Sequence, residues 1–336
     1  MKAYLLKKHG KPEVLKIHEV EEPSPKPNEV KIKVSHIGIN YAEILSRRGQ
    51  YNWAPSKPYI PGMEGIGEIV EVGSEAGNHK PGDKVIFGNQ TGAYAEFITV
   101  RDYMALPVIP NMTDEENAAF LVNFVTAWIS LFKMGRILPE DIVLIHAAAG
   151  GVGTAAVQLA KAHGCKVYGT ASRPEKIDLI KRLGADEAIN YLTEDFYQVI
   201  KEKDGGVDYV LEVVGGDVFK KSVELLNPFG RLVVTGYASI PLNKWNPLTW
   251  WPTWRDAPKA PIMKMAQNSY GILASHVGYL IEKPEVVKAN WEELASYVNK
   301  HNLKPVVSKT FNFDELPEAH RYIESRESYG KVLVKV

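Results

Sequence analysis

The sequence holds one cysteine, Cys165, in 336 residues. A single thiol excludes a disulfide within the chain and any zinc site built from several thiolates. Net charge is missing as well. Lys+Arg and Asp+Glu both number 40, so no global field favours nucleic acid or an anionic membrane. Long apolar runs are absent. The longest candidate, Ala118 to Met134, is broken by Asn123, Thr126, Ser130 and Lys133, short of the roughly 20 apolar residues that cross a bilayer. The opening MKAYLLKKHG has too short an apolar core for a signal peptide, which makes a cytoplasmic protein the expectation. No H-E-x-x-H, G-x-S-x-G or G-x-x-x-x-G-K-[ST] pattern occurs, so metalloprotease, serine-hydrolase and P-loop chemistry lack support. There are no internal repeats.

What is present suits two soluble domains. Hydrophobic content of 45% and charged content of 24% are ordinary for globular proteins, and the length exceeds what one core usually serves. Residues 1 to about 110 read as short strands: Ala3 to Leu6, Val14 to Ile17, Val30 to Val34, Ile66 to Val72, Val85 to Phe87 and Ala93 to Val100. Turns separate them, notably Pro23, Pro25 and Pro27, and Pro81-Gly82-Asp83-Lys84. Such a series predicts a small barrel or curled sheet. Thr113 and Glu116 stand at capping-box spacing and predict a helix running towards Phe132, with the domain boundary inside it near Val122. From Asp141 onward strand and helix alternate, which predicts an α/β doubly wound parallel sheet.

The segment from Asp141 to Lys176 carries the strongest signal. Ile142 to His146 is nearly continuously apolar, as a strand buried on both faces is. AAAGGVG follows, with Ala147, Gly150 and Gly153 at A-x-x-G-x-x-G spacing, and then Ala155, Ala156, Leu159 and Ala160 form one helical face. Val167 and Tyr168 begin another strand. Strand, glycine turn, helix and strand within about 30 residues is the dinucleotide-binding unit, in which helix N–H groups hold a pyrophosphate. The alternative is a glycine turn that only packs a helix on a sheet. An acidic residue at the end of the second strand would hold a ribose 2′-hydroxyl, whereas a cation accepts a 2′-phosphate. No carboxylate stands between Gly169 and Pro174, while Ser172, Arg173 and Lys176 offer a hydroxyl and two cations. Cations are disfavoured at a helix start unless an anion binds there. NADPH is therefore the expected cofactor, against the alternative of a basic, solvated first turn.

Ile240 to Gln267 departs from the alternation. It holds Trp245, Trp250, Trp251 and Trp254 among five prolines. Prolines this dense disfavour a long helix, and tryptophans this dense are costly if left wet. A flap over an apolar site, a subunit contact, a membrane-surface contact and self-packing all remain open.

Over nearly its whole length the chain resembles the medium-chain dehydrogenase/reductase superfamily, zinc-independent quinone oxidoreductase (zeta-crystallin-like) branch, nearest to the vesicle amine transport protein homologues. The resemblance is carried by GINYAEILSRRGQY at 38–51, PGMEGIGEIVEVG at 61–73, GDKV at 82–85 and HAAAGGVG at 146–153. GTAS at 169–172, INY at 189–191 and HVGYL at 276–280 extend it. It implies a Rossmann NADPH-binding domain, 123–278, beside a GroES-like β-barrel-type catalytic domain made of 1–122 and 279–336, with a cleft between them and a homodimeric assembly. It further implies that Gly150, Gly151, Val152 and Gly153 meet the pyrophosphate and that Ser172, Arg173, Lys176 and Tyr191 surround the 2′-phosphate. Asn40, Thr126, Gly236 and Tyr237 would lie near the nicotinamide, and Lys331 would reach the cofactor phosphates. The zinc-dependent members use cysteines and a histidine that this chain lacks. Met63 stands where their G-H-E histidine would be, so metal-assisted alcohol oxidation is not expected.

The implied reaction is reduction of a small quinone or enone. Hydride enters at carbon while negative charge gathers on oxygen, so the protein needs to hold the reactants, exclude water and offer a donor to that oxygen. Asn40, Tyr41 and Tyr51 are the donor candidates, each with packing or turn structure as the alternative, and Trp53 would supply a flat apolar wall. His146 admits a general-base reading, against simple capping of the sheet. Alkenal or enoyl reduction, and a nucleotide-binding interaction or membrane-associated role with little turnover, are the rival functions.

Overall fold

Alternating apolar strands and amphipathic helices commit the middle of the chain to one sheet, and the β-rich ends to another. The computed structural model describes residues 1–236 and 259–336. It divides into two units, Met1–Val125 with Val277–Val336, and Thr126–His276. Tyr237 and the four tryptophans of the proline-rich segment lie outside the described residues.

The first unit opens with β1 (Lys2–Tyr4) paired to β2 (Ile17–Glu19). Pro12 starts a 3-10 turn, Pro12–Val14, and so displaces the strand expected at Val14 to Ile17. β3 (Glu29–Ile39), β4 (Glu64–Val72), β5 (Lys84–Gly88), β6 (Phe97–Arg101) and β7 (Ala105–Pro107) then supply most of a second, larger sheet. Ala93 and Tyr94 fall outside β6 because their N–H groups are taken by Gly62 and Pro61. α1 (Tyr41–Arg48) follows β3 directly and ends at Gly49, whose φ of 74° is the left-handed cap glycine adopts at low cost.

α2 (Asp114–Ala118) begins with the predicted box: Glu116 N–H donates to Thr113 Oγ1 at 3.1 Å, and Thr113 N–H to Glu116 Oε2 at 2.8 Å. The single helix expected through to Phe132 is broken after Ala118. α3 (Leu121–Trp128) starts anew, with Val122 N–H donating to Glu64 Oε2 at 2.8 Å, and a π-helical stretch Ile129–Met134 follows. A carboxylate arriving from β4 satisfies the new helix start.

The second unit is a parallel sheet of six strands: β8 (Ile142–Ile145), β9 (Lys166–Ala171), β10 (Glu187–Asn190), β11 (Val207–Glu212), β12 (Leu226–Val234) and β13 (Gly271–Ala274). Their order is β10-β9-β8-β11-β12-β13, so the chain reverses direction across the sheet between β8 and β11. One face carries Leu144, Tyr168, Val210 and Leu232 in a core with Phe196 and Ile200 of α6 (Phe196–Asp204) and Phe219 and Val223 of α7 (Gly216–Glu224). Ala155, Ala156, Leu159 and Ala160 of α4 (Gly151–Ala162) are fully buried, as their spacing predicts.

Residues after Val277 complete the first unit with a long helix, Pro284–His301, and the parallel pair β14 (Val307–Asn312) and β15 (Lys331–Lys335). β15 runs antiparallel to β3, Val332 opposite Ile39. The C-terminal tail thus returns to the first unit and brings Lys331 beside the end of β3. Among the described residues no helix is long and apolar enough to cross a membrane.

Candidate functional site

In the parallel sheet the turn between β8 and α4 sits at the reversal point, where ligands of open α/β sheets bind. Ala147 takes φ 49°, and Gly150 N–H turns back to Ala147 O at 2.8 Å. Gly150 is the N-cap, and the helical bond from Thr154 N–H closes on Gly150 O at 2.8 Å. The N–H groups of Gly151, Val152 and Gly153 precede that bond and point out of the helix start, with the positive end of its dipole behind them. A Cβ on Gly153 would lie 2.3 Å from Ala147 O and 2.6 Å from Ala148 Cα. Only glycine lets the turn fold this tightly, which keeps the donors open to an anion.

At the end of β9, Arg173 caps α5 (Pro174–Arg182), with Pro174 in the first turn. Lys176 is buried in that first turn, and burial, followed by the Arg173 charge, pushes its ammonium below the ordinary lysine range. Arg173 and Lys176 are like charges at a positive helix end and repel one another, an effect that Glu175, 4.0 Å from Arg173, offsets in part. A dianion between them would relieve both. Ser172 is half-buried, and Tyr191 is exposed just beyond β10 with its N–H on Ala171 O. The sheet unit therefore has a donor cradle at one end of a strand pair and a cation pair at the end of its neighbour, which fits a dinucleotide with an extra phosphate.

The strand ends on the α7 side hold a polar row. His146 Nδ1 pairs with Thr170 Oγ1 at 3.2 Å and Nε2 with Ser222 Oγ at 2.8 Å, and burial pushes the imidazole down to about 3. A neutral ring with both nitrogens engaged caps the sheet and is no general base. Glu212, fully buried beside it, accepts Val214 N–H and Gly215 N–H at 2.5 and 2.8 Å on one oxygen. Its other oxygen is 4.0 Å from His146 Nε2 and has no hydrogen-bond partner among the described residues, and burial raises the carboxyl to about 7. Thr126 is buried in α3, and its carbonyl accepts Ser130 Oγ at 2.7 Å. Gly236 follows β12 and is half-buried.

The first unit carries a buried cluster that sequence spacing did not reveal. Asn40 caps α1, and its backbone N–H donates to Glu43. Lys331 Nζ donates to Asn40 Oδ1 at 2.6 Å and to Glu64 Oε1, while Asn40 Nδ2 donates to Glu64 Oε1 at 2.9 Å. Glu43 Oε1 takes Met63 N–H at 3.0 Å and Asn40 Nδ2 at 3.4 Å. Lys331, expected at the cofactor phosphates, is instead 2% exposed and committed to Glu64 and Asn40. A buried ammonium needs a carboxylate, and that need fixes its direction. Both amide hydrogens of Asn40, one of the expected donors, are likewise directed at the carboxyl oxygens of Glu64 and Glu43. The one signal for Glu64 was an acidic residue inside the otherwise apolar and glycine-rich PGMEG.

Near this cluster Tyr51 and Trp53 stand edge to face with centroids 6.4 Å apart, and Trp53 meets Tyr279 at 6.1 Å. Burial, then the Glu43 charge, pushes the Tyr51 hydroxyl well above the ordinary tyrosine range, so it is a neutral donor at any physiological pH. Tyr41 opens α1 and is 41% exposed. Tyr279 belongs to HVGYL but was not among the expected site residues. Met63 is buried, and among the described residues no three His, Cys, Asp or Glu side chains converge as metal ligands. Cys165 lies in the other unit, its thiol pushed up to about 12 by burial and Asp141.

Residues 26–111 match the family described as alcohol dehydrogenase GroES-like domain, and residues 151–255 match the family described as zinc-binding dehydrogenase. Among the described residues no side chains gather as the donor set for zinc that the second description names. The synaptic vesicle membrane protein VAT-1 homolog of Mus musculus is 34% identical over 93% of this chain and 77% of its own length. The quinone oxidoreductase of Rattus norvegicus is 36% identical over 99% of this chain and 97% of its own. The Escherichia coli quinone oxidoreductase, solved in complex with NADPH, superposes with a TM-score of 0.89 at 29% identity, covering 100% of both chains. Glycine cradle, cation pair and these likenesses converge: the chain belongs to the medium-chain dehydrogenase/reductase superfamily, as an oxidoreductase of its zinc-independent, quinone-oxidoreductase-like branch.

Proposed function

We propose that the protein is an NADPH-dependent reductase that passes hydride to a quinone or a related α,β-unsaturated carbonyl acceptor. The observation that carries the choice of cofactor is the Arg173–Lys176 cation pair, with no carboxylate between Gly169 and Pro174 to bind a free ribose hydroxyl. NADPH supplies, when bound, a hydride from its reduced nicotinamide ring. The N–H groups of Gly151, Val152 and Gly153 hold the pyrophosphate, and Ser172, Arg173, Lys176 and Tyr191 hold the 2′-phosphate. Thr126 and Gly236 are proposed as nicotinamide residues, and so, separately, is Asn40.

On the acceptor side, Tyr51 donates to the oxygen on which charge develops, a task for which its hydroxyl is kept protonated. Trp53 and Tyr279, in ring contact with each other, make the surroundings of Tyr51 aromatic, in keeping with a flat, conjugated acceptor. No group in this scheme polarises an unactivated alcohol. β13 pairs only with β12 among the described residues, and its other edge is where a second copy would continue the sheet in a homodimer. The test is NADPH consumption with a panel containing a flat ortho-quinone, an aliphatic alkenal and a primary alcohol. Oxidation of NADPH by the quinone supports the reading. Preference for the alkenal would move the protein to alkenal reduction, and binding without any turnover would remove the reductase assignment.

A further inference from the structure

Asn40, Glu64 and Lys331 meet in the first unit although 24 residues separate Asn40 from Glu64 and 291 separate it from Lys331. Their chemistry leaves one arrangement. An ammonium has donors only, so the Asn40 atom 2.6 Å from Lys331 Nζ must be the amide oxygen. That places Nδ2 against Glu64 Oε1 at 2.9 Å and Glu43 Oε1 at 3.4 Å, both acceptors. The flipped amide would set its NH2 against the ammonium and its oxygen against two carboxyl groups. Packing is tight on the Gly38 side, where a Cβ would lie 2.8 Å from Lys331 Cε and 3.0 Å from Glu64 Cγ.

We infer that Glu64 and Lys331 are positioning residues that lock the Asn40 amide with its hydrogens turned inward, so that Asn40 meets its ligand through Oδ1, as a hydrogen-bond acceptor. This rests on the reading that Asn40 stands at the nicotinamide, and it reverses the donor role expected from sequence. Oδ1 has a second lone pair beside the one Lys331 uses. Its complement is a group that carries a hydrogen, such as the carboxamide N–H of the nicotinamide, and not a carbonyl oxygen or an oxyanion. Glu64 adds a second function, since its other oxygen holds the start of α3 through Val122 N–H.

Two readouts test this. With isotope-labelled asparagine, the Asn40 side-chain NH2 pair is identified by its loss in Asn40→Ala. The wild type should show it slowly exchanging with solvent, and Lys331→Met should shift it and speed its exchange. An NH2 pair unmoved by Lys331→Met overturns the inference. In kinetics, Lys331→Met should lower kcat about 10- to 100-fold, the scale of a misplaced reactant, with the Kd for NADPH within about twofold of wild type. Because Lys331→Met leaves a buried carboxylate unpaired, the neutral pair Glu64→Gln with Lys331→Met serves as its control. The double variant should regain melting temperature without regaining kcat. Weaker NADPH binding with kcat intact, or kcat that returns in step with melting temperature, would each overturn the proposal. A wild type that binds NADPH but reduces no acceptor defeats the reductase reading instead, and the amide spectrum still decides the lock.

Discussion

Glu43 is a sharp point at which to perturb the first unit, because its burial has a pH signature. The side chain is 1% exposed, and burial, opposed in part by Lys331, lifts its carboxyl from the ordinary 4.5 to about 7. Between those values the folded chain holds a proton that the unfolded chain has released. Stability from this group is therefore full below about pH 4.5 and is lost as pH rises towards 7. At about 1.4 kcal/mol per pKa unit, the gap amounts to on the order of 3 kcal/mol. Glu43→Gln removes the titration. It also sets an amide NH2 among the N–H groups of Asn40 and Met63, at a pH-independent cost of about 1–2 kcal/mol. The variant should be less stable than wild type near pH 5 and equal or better near pH 8. Denaturant midpoints measured across that range for both proteins check this, and groups such as Glu212 with the same tendency cancel in the difference. A wild-type-to-variant gap that stays constant with pH would refute the assignment.

Other outcomes follow from the sheet unit and the aromatic cluster. Lys176→Met should weaken NADPH about 10- to 100-fold, the loss of one charge-assisted bond, and leave NADH unchanged, as read by calorimetry. Arg173→Met should act in the same direction but less, and its effect should shrink with salt, because its side chain is 42% exposed. Gly153→Val should abolish NADPH binding, since a Cβ there enters the Ala147–Ala148 backbone, and the intact first unit, followed by its own hydrogen-exchange pattern, distinguishes local damage from unfolding. Tyr51→Phe should lower kcat for a quinone about 10- to 100-fold without changing NADPH affinity, and unchanged turnover would remove it as the donor.

Local chemistry made the parallel sheet legible. A strand apolar on both faces, a turn that tolerates no Cβ at Gly153 and an amphipathic helix each announce themselves within a few residues, and so does the Thr113–Glu116 box. The features that escaped are those assembled by topology. Lys331 looks like a solvated tail residue until β15 pairs with β3 and delivers it to Glu64. The break between α2 and α3 has no proline or glycine to mark it, because its cause is the Glu64 carboxylate from 58 residues away. Asn40 was identifiable as a site candidate from GIN, but the direction of its amide depends on three partners that no spacing rule connects. The strand expected at Val14 to Ile17 failed for a local reason, Pro12, which was there to be read.

The steady-state rate of nicotinamide oxidation with a flat ortho-quinone, compared for NADPH and NADH on the unmodified protein, decides whether the protein is an NADPH-dependent reductase. Turnover is expected with kcat/KM at least about 10-fold higher for NADPH, the contribution of at least one charge-assisted contact to the 2′-phosphate. Equal rates with both coenzymes, or none with NADPH, would contradict it.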